Sequence, residues 1–391
     1  METPSVIIIG AGVAGISAAA QLLSEGIKNV IILEAENRIG GRVNTVDFEN
    51  GCVDLGAEWV HGQEGNIVYS MANPLDLLDD SPEEMTKSQC FFSNGSKLDS
   101  QTSDKLINIC LKIMYASDRK KEFTGSLGDY FMLRFREILC NEEKVDLSDE
   151  ISEAYLDWFQ KFQNSIDCAD TWFETSAQGH EEYWECEGNL LVKWKKGGFS
   201  NIIDLIFKKY PNSYEELPIK EKILFNKEVK LINWSDEGIV KVTCTDDSCY
   251  QATHVIVTVS LGVLKENSAK FFDPPLPNDK LNAIEGLGFG TVNKIFIKFP
   301  YRWWPDDCPG FNLLWEQDAK ECMKDMDNQD WVKHVFGFYS VYNNPTIMCG
   351  WIVGSPSRHM ELSSVEEVKE SCQQLLTRFL GHSFVIPPIE A

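Results

Sequence analysis

The sequence has no apolar run approaching the ~18 residues that a membrane-crossing helix requires. Positive charge is scarce. Thirty-six Lys and Arg face 60 Asp and Glu in 391 residues, a formal net charge of −24, which argues against a nucleic-acid partner and favours cations at the surface, or simple solubility. Twelve cysteines are scattered without a CxxC pair and without His at metal-ligand spacing, so neither a zinc site nor a dithiol centre is expected and the thiols should be reduced. There is no internal repeat or low-complexity segment. Met1-Glu2-Thr3-Pro4 leads straight into apolar residues, so no signal peptide is expected and a cytoplasmic location follows. The sequons at Asn94 and Asn233 then carry no meaning.

What is present starts at the amino end. Val6-Ile7-Ile8-Ile9 runs into Gly10-Ala11-Gly12-Val13-Ala14-Gly15, and a second apolar run, Val30-Ile31-Ile32-Leu33, ends on Glu34. A buried strand, a tight turn at Gly10, a Cβ-free approach at Gly12 and close helix packing at Gly15 make a dinucleotide site, with phosphate held at the helix amino end. Residues 13 to 25 are mostly good helix formers, and Gly26 is placed to end them. Glu34 sits where a ribose acceptor belongs and would repel a 2′-phosphate, so FAD or NAD fits better than NADP. A lone GxGxxG is weak evidence; strand, glycines, helix, second strand and acid in order are much stronger.

Arg38-Ile39-Gly40-Gly41-Arg42 follows as a donor-rich loop suited to a second phosphate contact or to a solvated turn. The length predicts two domains. Residues 75 to 190 turn acidic and helical, with Ile151, Tyr155, Trp158, Phe159 and Phe162 spaced as a packing stripe. An apolar helix is expected around Ile202–Ile206. Strands are expected at 228–232, 239–244 with a turn at 235–238, 254–259 and 291–299, where Lys294 and Lys298 take polar positions. Pro274, Pro275 and Pro277 mark a boundary, and a helical stripe from Val365 to Phe379 is closed by Gly381.

Together, GAGVAG at 10–15, RIGGR at 38–42, DLGAEWVHG at 54–62, VIVTVSLGVLK at 255–265, TVNKIFIKFP at 291–300 and GWIVG at 350–354 resemble the flavin-containing amine oxidases, in their polyamine and spermine oxidase branch. The resemblance implies an α/β protein: a glutathione-reductase-like, FAD-binding Rossmann domain built from separated segments (1–75 and 190–268), plus an α+β substrate-binding domain with a mixed sheet (76–189 and 269–391). It implies FAD contacts from Gly10, Gly12, Ala14, Gly15, Glu34, Ala35, Arg42, Gly56, Ala57, Trp59, Val60 and Val229. Lys294 would hold a water beside flavin N5, His61 would line the substrate tunnel, and Glu185 would receive a distal ammonium. Taken as residues alone, Lys294 is a solvated lysine on an edge strand, His61 a satisfied core histidine, and Glu185 with Glu187 a solvated pair.

The implied activity is FAD-dependent oxidation of spermine, spermidine or their acetylated forms by hydride transfer to flavin N5, with dioxygen reduced to hydrogen peroxide. The amine must be neutral to react, which burial near Lys294 and contact with His61 would favour. The alternatives are a monoamine oxidase, against which the EWVHG ending argues, and a catalytically silent amine-oxidase-like protein. A monomer is expected, with a peroxisomal address conceivable only in a longer form. The family also carries a glycine-rich flavin segment near its carboxyl end, and this sequence stops at Val385–Ala391 before one. The expectation is therefore an unstable or flavin-poor polypeptide.

Overall fold

The computed structural model describes residues 4–49, 51–81, 85–116, 120–142, 147–235, 238–317, 330–342 and 344–391. The turn expected at 235–238, the amino terminus and Cys322 lie wholly or partly outside them. The chain forms two compact units, Met1–Asp80 with Cys186–Leu287, and Ser81–Glu185 with Gly288–Ala391.

In the first unit β1 (Val6–Ile9) lies between β2 (Val30–Leu33) and β12 (His254–Val257), and β8 (Ile223–Leu224) pairs with β2. All three pairings are parallel. The unbroken apolar run of β1 follows from cover on both faces. Val6 and Ile8 join a core with Ile16 and Ala19 of the helix Val13–Ser24 and with Ile202 and Ile203. Ile7 and Ile9 join another core with Val229, Ile232 and Val242. The latter residues come from a second sheet ordered β11–β10–β9–β13. It comprises Cys249–Ala252, Val240–Cys244, Val229–Asn233 and Phe272–Asp273 in that order. Two small pairs complete the unit, β3 (Thr45–Phe48) with β4 (Gly51–Asp54) and β5 (Leu78–Asp80) with β7 (Val192–Trp194).

The chain leaves this unit later than residue 268, the expected end of the segment. The helix Leu261–Phe271 runs through that point, and Phe272 and Asp273 pair with Ile232 and Asn233. Residues 76–80 and 186–189 also stay, because β5 pairs with β7 and Glu187 and Asn189 accept backbone bonds from residues 62 to 64.

The second unit is built on a mixed sheet, β14–β17–β16–β15–β6. Its strands are Val292–Lys298, Asn344–Val353, Val335–Val341, Gly310–Leu314 and Gln89–Phe92; only β15 and β6 run parallel. Tyr155, Trp158 and Phe159 of the helix Asp149–Asp167 are fully buried, so the aromatic stripe is packing. The helix Val365–Leu380 buries Cys372, Leu375, Leu376 and Phe379 in a core shared with Trp331, Val332 and Phe311. Gly381 closes it differently from expectation. Its φ of −62° is right-handed, and what requires glycine is space, since a Cβ would lie 2.4 Å from the Thr377 carbonyl oxygen.

Eleven of the described cysteines are thiols rather than disulfides. Among the described residues no helix is long and apolar enough to cross a membrane, and no His, Cys, Asp or Glu group could hold a metal ion.

Candidate active site

The glycines after β1 do three separate jobs. Gly10 has φ +101°, open to glycine at little cost, and its N–H donates to Leu33 O at 2.8 Å, tying the turn to the end of β2. A Cβ on Gly15 would lie 2.0 Å from Gly10 O, so the helix can rest on the turn only because that atom is missing. Gly12 is the N-cap of the helix Val13–Ser24, with no side-chain cap and no acid in the first turn. The other described helices of eleven residues or more are capped by Asp99, Ser126, Ser148, Ser260 and Ser364. An amino end without a cap leaves N–H donors for an outside anion. These features fit a pyrophosphate.

Thr258, after β12, locks this turn. Its hydroxyl donates to Ile9 O at 2.8 Å and lies 3.0 Å from where a Cβ on either Gly10 or Gly15 would stand. Sequence reading missed it, since the contact spans 249 positions.

Glu34 is half-buried. One carboxylate oxygen accepts from Ala11 N–H at 2.6 Å and the other from Glu36 N–H at 2.9 Å. Each oxygen keeps a lone pair for a ribose hydroxyl. The backbone on either side brings β9 close: Glu34 N–H donates to Leu224 O, and Lys227 N–H donates to Glu34 O at 2.7 Å. Val229, nearly buried, begins β9 two residues later. Ala14 and Ala35 are exposed.

The two arginines of the next loop differ. Arg38 is engaged within it, donating to Gly41 O at 2.9 Å and pairing with Glu36 at 2.8 Å. Arg42 is exposed, and its guanidinium makes no hydrogen bond or ion pair with any described residue. Its backbone carries the next segment: Ala57 N–H donates to Arg42 O at 3.0 Å, and a Cβ on Gly56 would lie 1.9 Å from that oxygen. Asp54 anchors the segment's start by accepting from Phe199 N–H at 2.9 Å and the Thr45 hydroxyl at 2.5 Å.

Further on, Val60 is buried and its N–H donates to Val192 O at 2.8 Å. Trp59 packs beside His61, with ring centroids 6.2 Å apart. His61 is exposed, which removes the core-histidine reading. Its Nδ1 lies 2.7 Å from Leu190 O. A carbonyl can only accept, so Nδ1 carries the proton and the Nε2 lone pair of the neutral ring is left over.

Gly10, Gly12, Ala14, Gly15, Glu34, Ala35, Arg42, Gly56, Ala57, Trp59, Val60, His61 and Val229 all fall in the first unit. Lys294 and Glu185 belong to the second unit. Lys294 is on the edge strand β14 but half-buried, opposite Trp351 in the β14–β17 register, with Nζ 5.1 Å from the Trp351 ring centroid. This is a cation–π contact rather than a fully solvated ammonium. Glu185 is exposed, and its charge acts on Tyr115, whose phenol is pushed up first by burial and then by that carboxylate.

A profile of the family described as flavin containing amine oxidoreductase matches residues 13–390. The chain belongs to that family. As a flavin-containing amine oxidoreductase it is an FAD-dependent enzyme. Among its relatives are the peroxisomal N(1)-acetyl-spermine/spermidine oxidase of Bos taurus, 28% identical over 97% of this chain and 78% of the relative, and the probable polyamine oxidase 5 of Arabidopsis thaliana, 26% identical over 96% and 76%. A solved structure of a putrescine oxidase double mutant, redesigned in cofactor binding, matches 99% of this chain and 84% of its own with a TM-score of 0.62 at 17% identity. That likeness supports the α/β fold.

Proposed function

We propose that this amine oxidase acts on polyamines, converting a secondary amine, water and dioxygen to an aldehyde, a shortened amine and hydrogen peroxide. FAD supplies the two-electron acceptor for hydride leaving the carbon beside nitrogen. The chain's own residues prepare the amine. A protonated amine has no lone pair to stabilise the carbon as hydride leaves, so the site must hold it neutral. His61 is suited to that: with Nδ1–H committed to Leu190 O, Nε2 can only accept, from an amine N–H or its proton. Lys294 would orient a water from the ammonium that lies against Trp351, and Glu185 would take a distal ammonium.

The observation that carries this reading is the His61 arrangement, in a chain similar over nearly its whole length to acetyl-spermine/spermidine oxidase. The charge of −24 suits a polycationic substrate. Peroxide release measured with spermine, N1-acetylspermine, spermidine and benzylamine decides it: turnover of benzylamine alone would replace the polyamine reading with a monoamine one. Lys294→Met should leave FAD bound and slow flavin reduction or reoxidation at least tenfold; unchanged half-reactions would remove the lysine from the chemistry.

A further inference from the structure

Lys193 lies on β7 with its side chain 7% exposed, and its ammonium donates to Glu58 at 2.7 Å, where the Glu58 side chain is 10% exposed. The same ammonium stands 4.9 Å from the Trp59 ring centroid. Burying two charges costs solvation that their attraction recovers only with good geometry, and an apolar pair of the same volume generally serves stability as well or better. The location suggests what the pair does instead. Residues 60–64 run beside 187–192 with few ladder bonds: Val60 N–H to Val192 O at 2.8 Å, Gly62 N–H to Asn189 O at 3.0 Å, and Gln63 and Glu64 N–H both to Glu187 O. Between the bridges Val60–Val192 and Glu64–Glu187 the alignment slips by one residue. Gly62 and Gly188, at φ +79° and +105°, sit inside that slip. A short, slipped ladder does not specify its own register, and one residue of shift turns every side chain to the other face.

We propose that Lys193 and Glu58 are positioning residues that fix this register, and through it aim the His61 ring at Leu190 O so that Nε2 remains the acceptor. The pair sits at one end of the ladder, two residues before Val60 and one after Val192. The Trp59 ring, held against the same ammonium, keeps the intervening residue from turning over. His61 lies one residue past Val60, so a shift there would exchange the buried valine with the histidine. The importance of Nε2 for turnover rests on the polyamine reading above; the register claim does not.

The test uses the FAD-loaded enzyme with 15N-labelled histidine, the His61 resonances being those lost in His61→Gln. The wild-type protein should show His61 as the Nδ1–H tautomer. In the double variant Glu58→Met, Lys193→Met, thermal stability should be kept while His61 moves toward the Nε2–H tautomer, and kcat/KM for spermine should fall at least tenfold at unchanged flavin content. Lys193→Arg, which keeps the charge pair, should retain the wild-type tautomer. A double variant that keeps the Nδ1–H tautomer overturns the proposal; so does one that fails to fold, because the pair would then support the fold itself. If the wild-type enzyme oxidises no polyamine, the substrate reading falls while the tautomer comparison still decides the register.

Discussion

The helix Val13–Ser24 starts on Gly12 with no side-chain cap, whereas Val365–Leu380 starts on Ser364 with a full capping box, the Ser364 side chain bonded to Glu367 N–H and Glu367 returning to Ser364 N–H at 2.7 Å. The second helix satisfies its own amino end and rests on a core of aromatic and aliphatic side chains. The first leaves its donors for a ligand and is held on the sheet by an absent atom at Gly15. One end is complete without anything added, and the other is completed by binding. Stability and function have thus been assigned to different helices, and substitutions should separate them.

The largest effect is expected where the uncapped helix meets its turn. Gly15→Ala puts a carbon 2.0 Å from a backbone oxygen that cannot move aside, so urea unfolding should show a loss of about 3 kcal/mol, together with loss of FAD. An unchanged midpoint would mean that the helix does not rest on the turn as described.

The floor under the capped helix should respond to acid. His334 adjoins Trp331 and Val332 of that core, and burial first, then Lys161 and Lys333, push its pKa down from 6.5 to about 4. Between those values the unfolded chain binds a proton that the native state refuses. Stability should therefore fall as pH drops from about 6.5 to about 4, by on the order of 2 kcal/mol. His334→Gln should flatten that slope in thermal melts, and a slope equal to wild type would show that other groups carry it.

A smaller effect belongs to Arg42, whose guanidinium lacks a partner among the described residues beside the uncapped helix. Arg42→Gln should weaken FAD binding roughly tenfold, about 1.4 kcal/mol, without moving the apoprotein's melting temperature. Titration of apoprotein with FAD measures it, and equal affinity would take Arg42 out of the phosphate site. Smallest is Ser364→Ala, at about 1 kcal/mol with FAD affinity untouched. Hydrogen bonds from Ser364 hold Glu367 below its usual carboxylate range, so this cap should weaken as pH falls through that lowered pKa.

The sequence made the uncapped helix legible because glycine is the signal there. Gly10 is demanded by its backbone angle and Gly15 by a close approach, Gly12 leaves the helix end without a side-chain cap, and β1 and β2 are apolar runs of the right length on either side. Gly381 was readable as a helix end but not for the right reason, because the crowding comes from Thr377 and not from a left-handed turn. The chain's departure from the first unit was misplaced by 19 residues, since the short pairing of Phe272 with Ile232 leaves no periodicity to read. Thr258 and the Lys193–Glu58 pair were invisible for a related reason: they act across 249 and 135 positions, and nothing local marks a threonine or a lysine for such a contact.

The parallel pairing of Val6 with His254 also sets a timetable. The glycine turn emerges early from the ribosome, yet its neighbouring strand and the hydroxyl of Thr258 are made roughly 10 to 50 s later at ordinary elongation rates. Throughout that interval β1 carries two apolar faces with only one side's partners available. The nascent chain must shield that strand by transient collapse or by a chaperone until residue 258 has cleared the exit tunnel and the glycine turn can be locked.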